Sequence, residues 1–238
     1  MVKKLLIAFD FDHTIIDGNS DTVVRQLLQT KPPECKLAES WTTYMQNVFN
    51  LLHQEGATES LYLDTIANIP PTPGMMDLLQ FLDNPEVEII IISDSNSIFI
   101  QTWLDNVKLS DSVHSVYTNQ AVFDSSGLLN ITMYHSQNWC DKCPENLCKG
   151  SVLDEHLKKR HEEGVTFSSV AYVGDGRNDY CPSTKLSRID HVFPRKGFSL
   201  EKLLTDPQTD EESKKKIMAN VCVWASALEI KEKLSEIV

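Results

Sequence analysis

Leu5-Leu-Ile-Ala-Phe9 is an apolar run that stops abruptly on Asp10-Phe-Asp12. A strand with one wet face alternates apolar and polar residues, so a run that is apolar at every position asks for cover on both faces. That points to an interior strand of a parallel sheet lying between helices. It also places Asp10 at the strand's carboxyl end, where open α/β sheets bind their ligands. Two more runs behave in the same way. Val87-Glu-Ile-Ile-Ile-Ile92 passes into Ser93-Asp94-Ser95-Asn96, and Val170-Ala-Tyr-Val173 passes into Gly174-Asp175-Gly-Arg-Asn-Asp179.

Helical periodicity fills the intervals. Asn19, Ser20 and Asp21 offer capping side chains before Val23, Val24, Leu27 and Leu28. Tyr44, Met45, Val48, Leu51 and Leu52 recur at helical spacing, and a further helix is predicted from about Ser60 to Ala67. The breakers Pro70, Pro71, Pro73 and Gly74 close this region. Helices are also predicted over Met75–Leu82, from after Asn96 to about Val107, over Lys149–Glu163, and near Ala225–Glu236. Val113–Tyr117 is a weaker strand candidate, Asp124-Ser-Ser-Gly127 suggests a hairpin, and His191–Phe193 and Val221–Trp224 are candidate further strands. Alternating strands and helices define an α/β fold with a parallel sheet between helices. Residues 19–72 form a helical insertion after the first strand motif.

The chain has 238 residues, enough for one sizeable core and a small second unit. Its 34 acidic and 22 basic side chains leave a formal charge of -12, which argues against nucleic acid as a partner. The basic, apolar start resembles a signal peptide only briefly, because Asp10 ends it without a small-residue cleavage site. No apolar stretch has the length of a membrane span. A cytoplasmic protein is expected, with its six cysteines reduced or bound to metal. Oligomeric state is not legible in the sequence.

Side chains two apart on a strand face the same way, so Asp10 and Asp12 would approach each other beyond the strand end. At about 4 Å and an effective dielectric near 20, two such charges repel by roughly 4 kcal/mol, which calls for a cation or a shared proton. Asp175 and Asp179 add two carboxylates on a glycine-permitted turn. Hard oxygen ligands of this kind suit magnesium, which also meets substrate phosphate. An isolated GDGRND would be read as a surface turn; its pairing with DFDHT gives it chemical meaning. Ser93 can donate to a phosphate oxygen. Lys149 opens a helix, where a cation gains nothing from the helix dipole, and neutralising a phosphoryl oxygen would be a reason for it to be there.

The order D-x-D-x-T, Ser, Lys, GDxxxD along alternating strands resembles the haloacid dehalogenase superfamily of phosphohydrolases. DFDHTIIDGNSD, IIISDSNS, CDKCPENLCKG, GDGRNDYCP and PRKGF are similar to the branch that contains phosphoethanolamine/phosphocholine phosphatase and pyridoxal phosphate phosphatase, and SDSNSIFI is nearer the latter. The resemblance implies a Rossmann-like core over 1–18 and 73–238 with a cap over 19–72. It implies Asp10 as nucleophile, Asp12 as proton donor and then base, and Ser93 and Lys149 on the phosphoryl oxygens. Magnesium would be held by Asp10, the Asp12 backbone carbonyl and Asp175, with Asp179 in support. Substrate contacts fall at Asp21 and Asp94, whose plain alternatives are a helix cap and a loop acid. The implied substrate is a small phosphate ester, pyridoxal 5'-phosphate first, with phosphoethanolamine and phosphocholine next. A phosphoryl transferase and a non-catalytic phospholigand-binding module are the competing classes.

Some signals stay outside this scheme. Cys140, Cys143 and Cys148, with His135 or Cys181 as a fourth partner, have part of a zinc spacing, but a second CxxC pair is missing and plain thiols are the simpler expectation. Trp41, Tyr44 and Phe49 are expected in a core rather than in an aromatic cage. His13 is given no catalytic role, and Lys214–Lys216 reads as a solvated helix face.

Overall fold

The computed structural model describes residues 1–36, 39–205 and 217–238, so Lys214–Lys216 lies outside the described residues. The buried run at the start becomes β1, Val2–Phe9, and the other two become β2, Val87–Asn96, and β5, Thr166–Gly174. With β3 (Ser115–Phe123), β4 (Leu129–Thr132), β6 (His191–Pro194) and β7 (Asn220–Val221) they build one sheet in the order β4-β3-β2-β1-β5-β6-β7. Every pairing is parallel except β3 with β4, which form the hairpin predicted around Asp124–Gly127. Gly127 supplies the positive φ of 85° that this turn requires.

The sheet grows to both sides of β1, so its topological switch lies at the carboxyl end of that strand. Register brings the functional ends together: Phe9 lies opposite Ile91 of β2 and Val173 of β5. The Asp10 N–H then donates to the Val173 carbonyl at 2.9 Å.

Alternation along β1 divides the core into two layers. Leu5, Ile7 and Phe9 face one layer, and Leu6 and Ala8 face the other with Val152, Leu153 and Leu200. Helices α6 (Lys149–Glu162) and α8 (Ser199–Thr205) belong to the second layer. The first layer is covered by α4 (Met75–Leu82), α5 (Ser97–Val107) and α9 (Ala227–Leu234), and also by the insertion helices α1 (Ser20–Arg25), α2 (Trp41–Gln54) and α3 (Glu59–Ala67). The short α7, Tyr180–Ser183, follows the turn after β5.

Helix α2 starts where the Ser40 hydroxyl accepts the Thr43 N–H at 3.1 Å, and Thr58 caps α3 in the same way. The apolar stripe of α2 is buried, with Phe49 edge-on to both Tyr62 of α3 and Phe99 of α5. Trp41 departs from expectation: it is 40% exposed, because it sits in the first turn of α2, beyond the reach of that core.

The remaining differences concern boundaries. Ser93–Asn96 continue β2 instead of leaving it, and β3 runs to Phe123 because it pairs with both β2 and β4. At the far edge only Asn220–Val221 pair as a strand. Trp224 makes a single bridge with Arg195, and its indole N–H is drawn inward to the Phe193 carbonyl at 2.9 Å.

Phe49 is fully buried and joins the insertion to the sheet layer. Phe49→Ala should therefore lower stability by about 3–5 kcal/mol, read as a shift of the urea midpoint with an unchanged m-value.

Candidate active site

The carboxylates of Asp10, Asp94, Asp175 and Asp179 and the ammonium of Lys149 meet where β1, β2 and β5 end, with Asp12 beside them. Asp10 is 4% exposed, and two donors hold its Oδ1: the Phe11 N–H at 2.7 Å and Lys149 Nζ at 2.9 Å. Oδ2 has no hydrogen bond among those of the described residues. Burial pushes the Asp10 carboxyl up, Lys149 opposes this, and Asp179, Asp94 and Asp175 push in the same direction as burial.

Lys149 is fully buried at the first position of α6, and its Nζ donates to Asp179 Oδ1 at 2.8 Å as well as pairing with Asp10. The sequence points to a phosphoryl oxygen near this lysine and gives no sign of its two carboxylate partners. Burial would lower the lysine, but Asp10, Asp179 and Asp94 outweigh it and hold the ammonium charged.

Asp179 takes four donors. Lys149 and the Tyr172 hydroxyl (2.7 Å) reach Oδ1, while the N–H groups of Asp175 (3.0 Å) and Gly176 (2.8 Å) reach Oδ2. Those four fill the acceptor sites of a carboxylate. Asp10, Asp175 and Asp179 each bring an oxygen within 4.8 Å of the others. With Asp179 committed to its donors, Asp10 and Asp175 remain the carboxylates with room for a cation. Burial and then Asp179 raise Asp175 to about 7.

The Asp12 side chain turns toward the start of α1. Its Oδ1 accepts the Ser20 N–H at 2.8 Å, and its Oδ2 accepts from Asn19 Nδ2 and Ser20 Oγ, both at 3.2 Å. Burial raises its pKa to about 8, helped by Asp21 and opposed by the Ser20 donors. The Ser20 hydroxyl also meets the Ser95 hydroxyl at 2.8 Å, which ties α1 to β2.

Asp21 is not the cap of α1; Asn19 is, accepting the Thr22 N–H at 2.8 Å. Asp21 is buried instead. Its Oδ2 accepts the Trp41 indole N–H at 2.6 Å, while Oδ1 lacks a partner among the described residues. Burial raises it to about 7 against the Trp41 hydrogen bond, and Asp94 adds to the rise.

Asp94 Oδ2 accepts from Asn178 Nδ2 at 3.2 Å, so the ends of β2 and β5 are joined. Asp94 also borders a cleft of about 330 Å³ with Glu39, Trp41, Glu145 and Asn146. Ser93 is fully buried on β2, where its hydroxyl accepts the Ser95 N–H at 3.2 Å.

Sequence reasoning missed Asn19 and Ser20 as Asp12 partners, Tyr172 as an Asp179 partner, and Trp41 as an Asp21 partner. It also missed Arg195, which donates to the His13 carbonyl and to Asp17 Oδ1 at 2.6 Å and so braces the loop after β1. None of these pairings has a local signal except the cap-like Asn19-Ser20, whose second use depends on where β1 ends.

A parallel sheet with acids at its switch point and a lysine reaching across from a facing helix belongs to a phosphatase. The family described as Putative Phosphatase matches residues 5–238, and the chain belongs to it. It is 40% identical over 234 residues to the pyridoxal phosphate phosphatase PHOSPHO2 of Mus musculus, covering 95% of each chain. It is 34% identical over 241 residues to the phosphoethanolamine/phosphocholine phosphatase of Homo sapiens, covering 98% of this chain and 89% of that one. Among solved structures, a substrate-bound phosphoserine phosphatase complex superposes with a TM-score of 0.60 at 16% identity, covering 100% of this chain and 99% of that one. This last likeness concerns the fold. No helix among the described residues is long and apolar enough to cross a membrane.

Lys149→Met removes the counter-charge of two buried carboxylates. It should cost about 3–5 kcal/mol near neutral pH. The loss should shrink as pH falls, because an unpaired Asp10 can then take up a proton. Urea unfolding of both proteins in chelator, across a pH series, measures this.

Proposed function

We propose that this chain hydrolyses a small phosphomonoester through an aspartyl-phosphate on Asp10, with Mg2+ as cofactor and pyridoxal 5'-phosphate as substrate. One observation carries the reading: Asp10 is held by Oδ1 with Oδ2 uncommitted, in the same buried cluster as the Asp12 carboxyl, which burial pushes up to about 8.

Oδ2 attacks phosphorus in line as the ester oxygen departs, and Asp12, with a pKa of about 8, gives its proton to the leaving alkoxide. The resulting Asp12 carboxylate then takes a proton from the water that attacks the same phosphorus. The bond to Oδ2 breaks, inorganic phosphate leaves, and both aspartates return to their first state. Lys149 and Ser93 hold the equatorial phosphoryl oxygens.

The carboxylates of Asp10 and Asp175 would hold Mg2+ as hard oxygen donors, joined by the backbone carbonyl of Asp12, with Asp179 anchoring Asp175 through its N–H. When bound, the ion neutralises charge on the phosphoryl group.

Residues 19–72 serve as the cap over the core of 1–18 and 73–238, and exclude water from the leaving group. Asp21, Asp94 and Trp41 face that group. The acidic cleft beside Asp94, bearing Glu39 and Glu145, favours a cationic or aromatic-cationic alcohol. Trp41 supports a pyridinium by stacking, and the same cleft also suits the ammonium of phosphoethanolamine or phosphocholine.

Comparing kcat/KM for the three esters, with Mg2+ and then with chelator, tests the assignment. Pyridoxal 5'-phosphate should lead, phosphate should appear without an added acceptor, and Asp10→Asn should abolish turnover. A requirement for an acceptor alcohol would instead identify a transferase.

The rate on an alkyl ester should fall as pH rises through about 8, because Asp12 then loses the proton it donates. Asp12→Asn should remove that limb and cut kcat by about 10²–10⁴, with a smaller loss on an aryl phosphate whose leaving group needs no proton.

A further inference from the structure

Residues 133–148 connect β4 to α6 without a helix or strand of their own. So long an irregular connection needs an anchor. Gln137 supplies part of it, being nearly buried within the loop. Its Oε1 accepts the Cys140 N–H at 2.8 Å, and its Nε2 donates to the carbonyls of Cys140, Cys143 and Pro144 at 3.1, 3.2 and 2.7 Å.

That scaffold aims Cys140 and Cys143 at two buried cysteines on other elements, Cys148 at the cap of α6 and Cys181 in α7. All four sulfurs lie within 4.8 Å of one another, with Cys140 to Cys181 at 3.6 Å and Cys148 to Cys181 at 3.9 Å. Those distances are far beyond a disulfide bond. A tetrahedron of four thiolates, each about 2.3 Å from zinc, has sulfur edges of about 3.8 Å.

The surroundings fit the same ion. The Lys142 N–H donates to the Cys140 sulfur and the Gly150 N–H to the Cys181 sulfur, as suits thiolates. Lys142 and Lys185 border the cluster, opposing the double negative charge of a tetrathiolate zinc centre. Thiols that merely pack as small hydrophobes would meet carbon rather than one another. His135, the alternative fourth ligand from sequence, is otherwise engaged: its Nε2 accepts the Cys148 N–H at 2.8 Å.

We propose that Cys140, Cys143, Cys148 and Cys181 bind one structural zinc ion, which fastens the 133–148 loop and the start of α6 to the turn after β5. Cys148 immediately precedes Lys149, and Cys181 lies just beyond Asp179. The ion thus sets the two segments whose side chains pair at 2.8 Å. There is little slack in the junction, since a Cβ on Gly150 would lie 2.6 Å from the Cys181 sulfur. The site does not depend on the substrate or on the phosphatase mechanism.

Metal analysis of the full chain, purified in magnesium buffer, should find one zinc per chain. A mercurial thiol reagent should release it, and Cys143→Ser should reduce it at least about tenfold. Cobalt loaded in its place should show thiolate-to-cobalt charge-transfer absorption and tetrahedral ligand-field bands, a readout that needs no viable variant. Asp175→Asn should leave both signals intact. Zinc-free protein that also gives no charge-transfer bands with cobalt overturns the proposal. So does a disulfide between these cysteines, iron in place of zinc, or zinc lost in Asp175→Asn but kept in Cys143→Ser.

Discussion

One buried ammonium holds this molecule's acidic centre together. Lys149 lies between Asp10 and Asp179, both nearly inaccessible to solvent, at 2.9 and 2.8 Å. Without it, the sheet would bury carboxylates with no counter-charge, a state that costs several kcal/mol per ion. Asp179 shows how the structure meets that demand: two backbone N–H groups, a tyrosine hydroxyl and the ammonium take up its acceptor sites. Asp10 and Asp175 keep free acceptor capacity in the same cluster.

Local charge explains the division of labour among acids that look alike in sequence. Asp12 and Asp21 share the buried entrance of α1, where burial raises them to about 8 and about 7, and Asp21 adds to the rise of Asp12. Asp10 lies against Lys149 and has an opposing influence that they lack. Separate environments of this kind give neighbouring carboxyls different affinities for a proton. Asp94 contributes to the rise of all three, so the end of β2 acts electrically on both β1 and α1.

The insertion helices are joined to this centre twice. Their apolar faces share the core layer of β1, through Phe49, Tyr62 and Phe99. Their polar start reaches the chemistry through Asn19 and Ser20 on Asp12 and through Trp41 on Asp21. A movement of α1 would therefore alter the hydrogen bonding of Asp12 directly, as would a loss of the Ser20–Ser95 contact.

Much of the fold and the acidic centre was legible in the chain. The strands β1, β2 and β5 announce themselves because burial on both faces requires apolar residues at successive positions, and each run stops at the polar residues that form the site. Asp10, Asp12, Asp94 and Asp175 are visible for that local reason, and Lys149 because a cation gains nothing from the dipole at a helix start, although its carboxylate partners are not. Tertiary structure alone decided which partners those groups have. Cys181 completes a cluster begun at Cys140, Trp41 leaves the core to serve Asp21, and Arg195 braces the loop at His13 and Asp17. Periodicity records the face a residue turns inward. Which distant side chain it meets there is set by the order of strands in the sheet and the packing of helices across it.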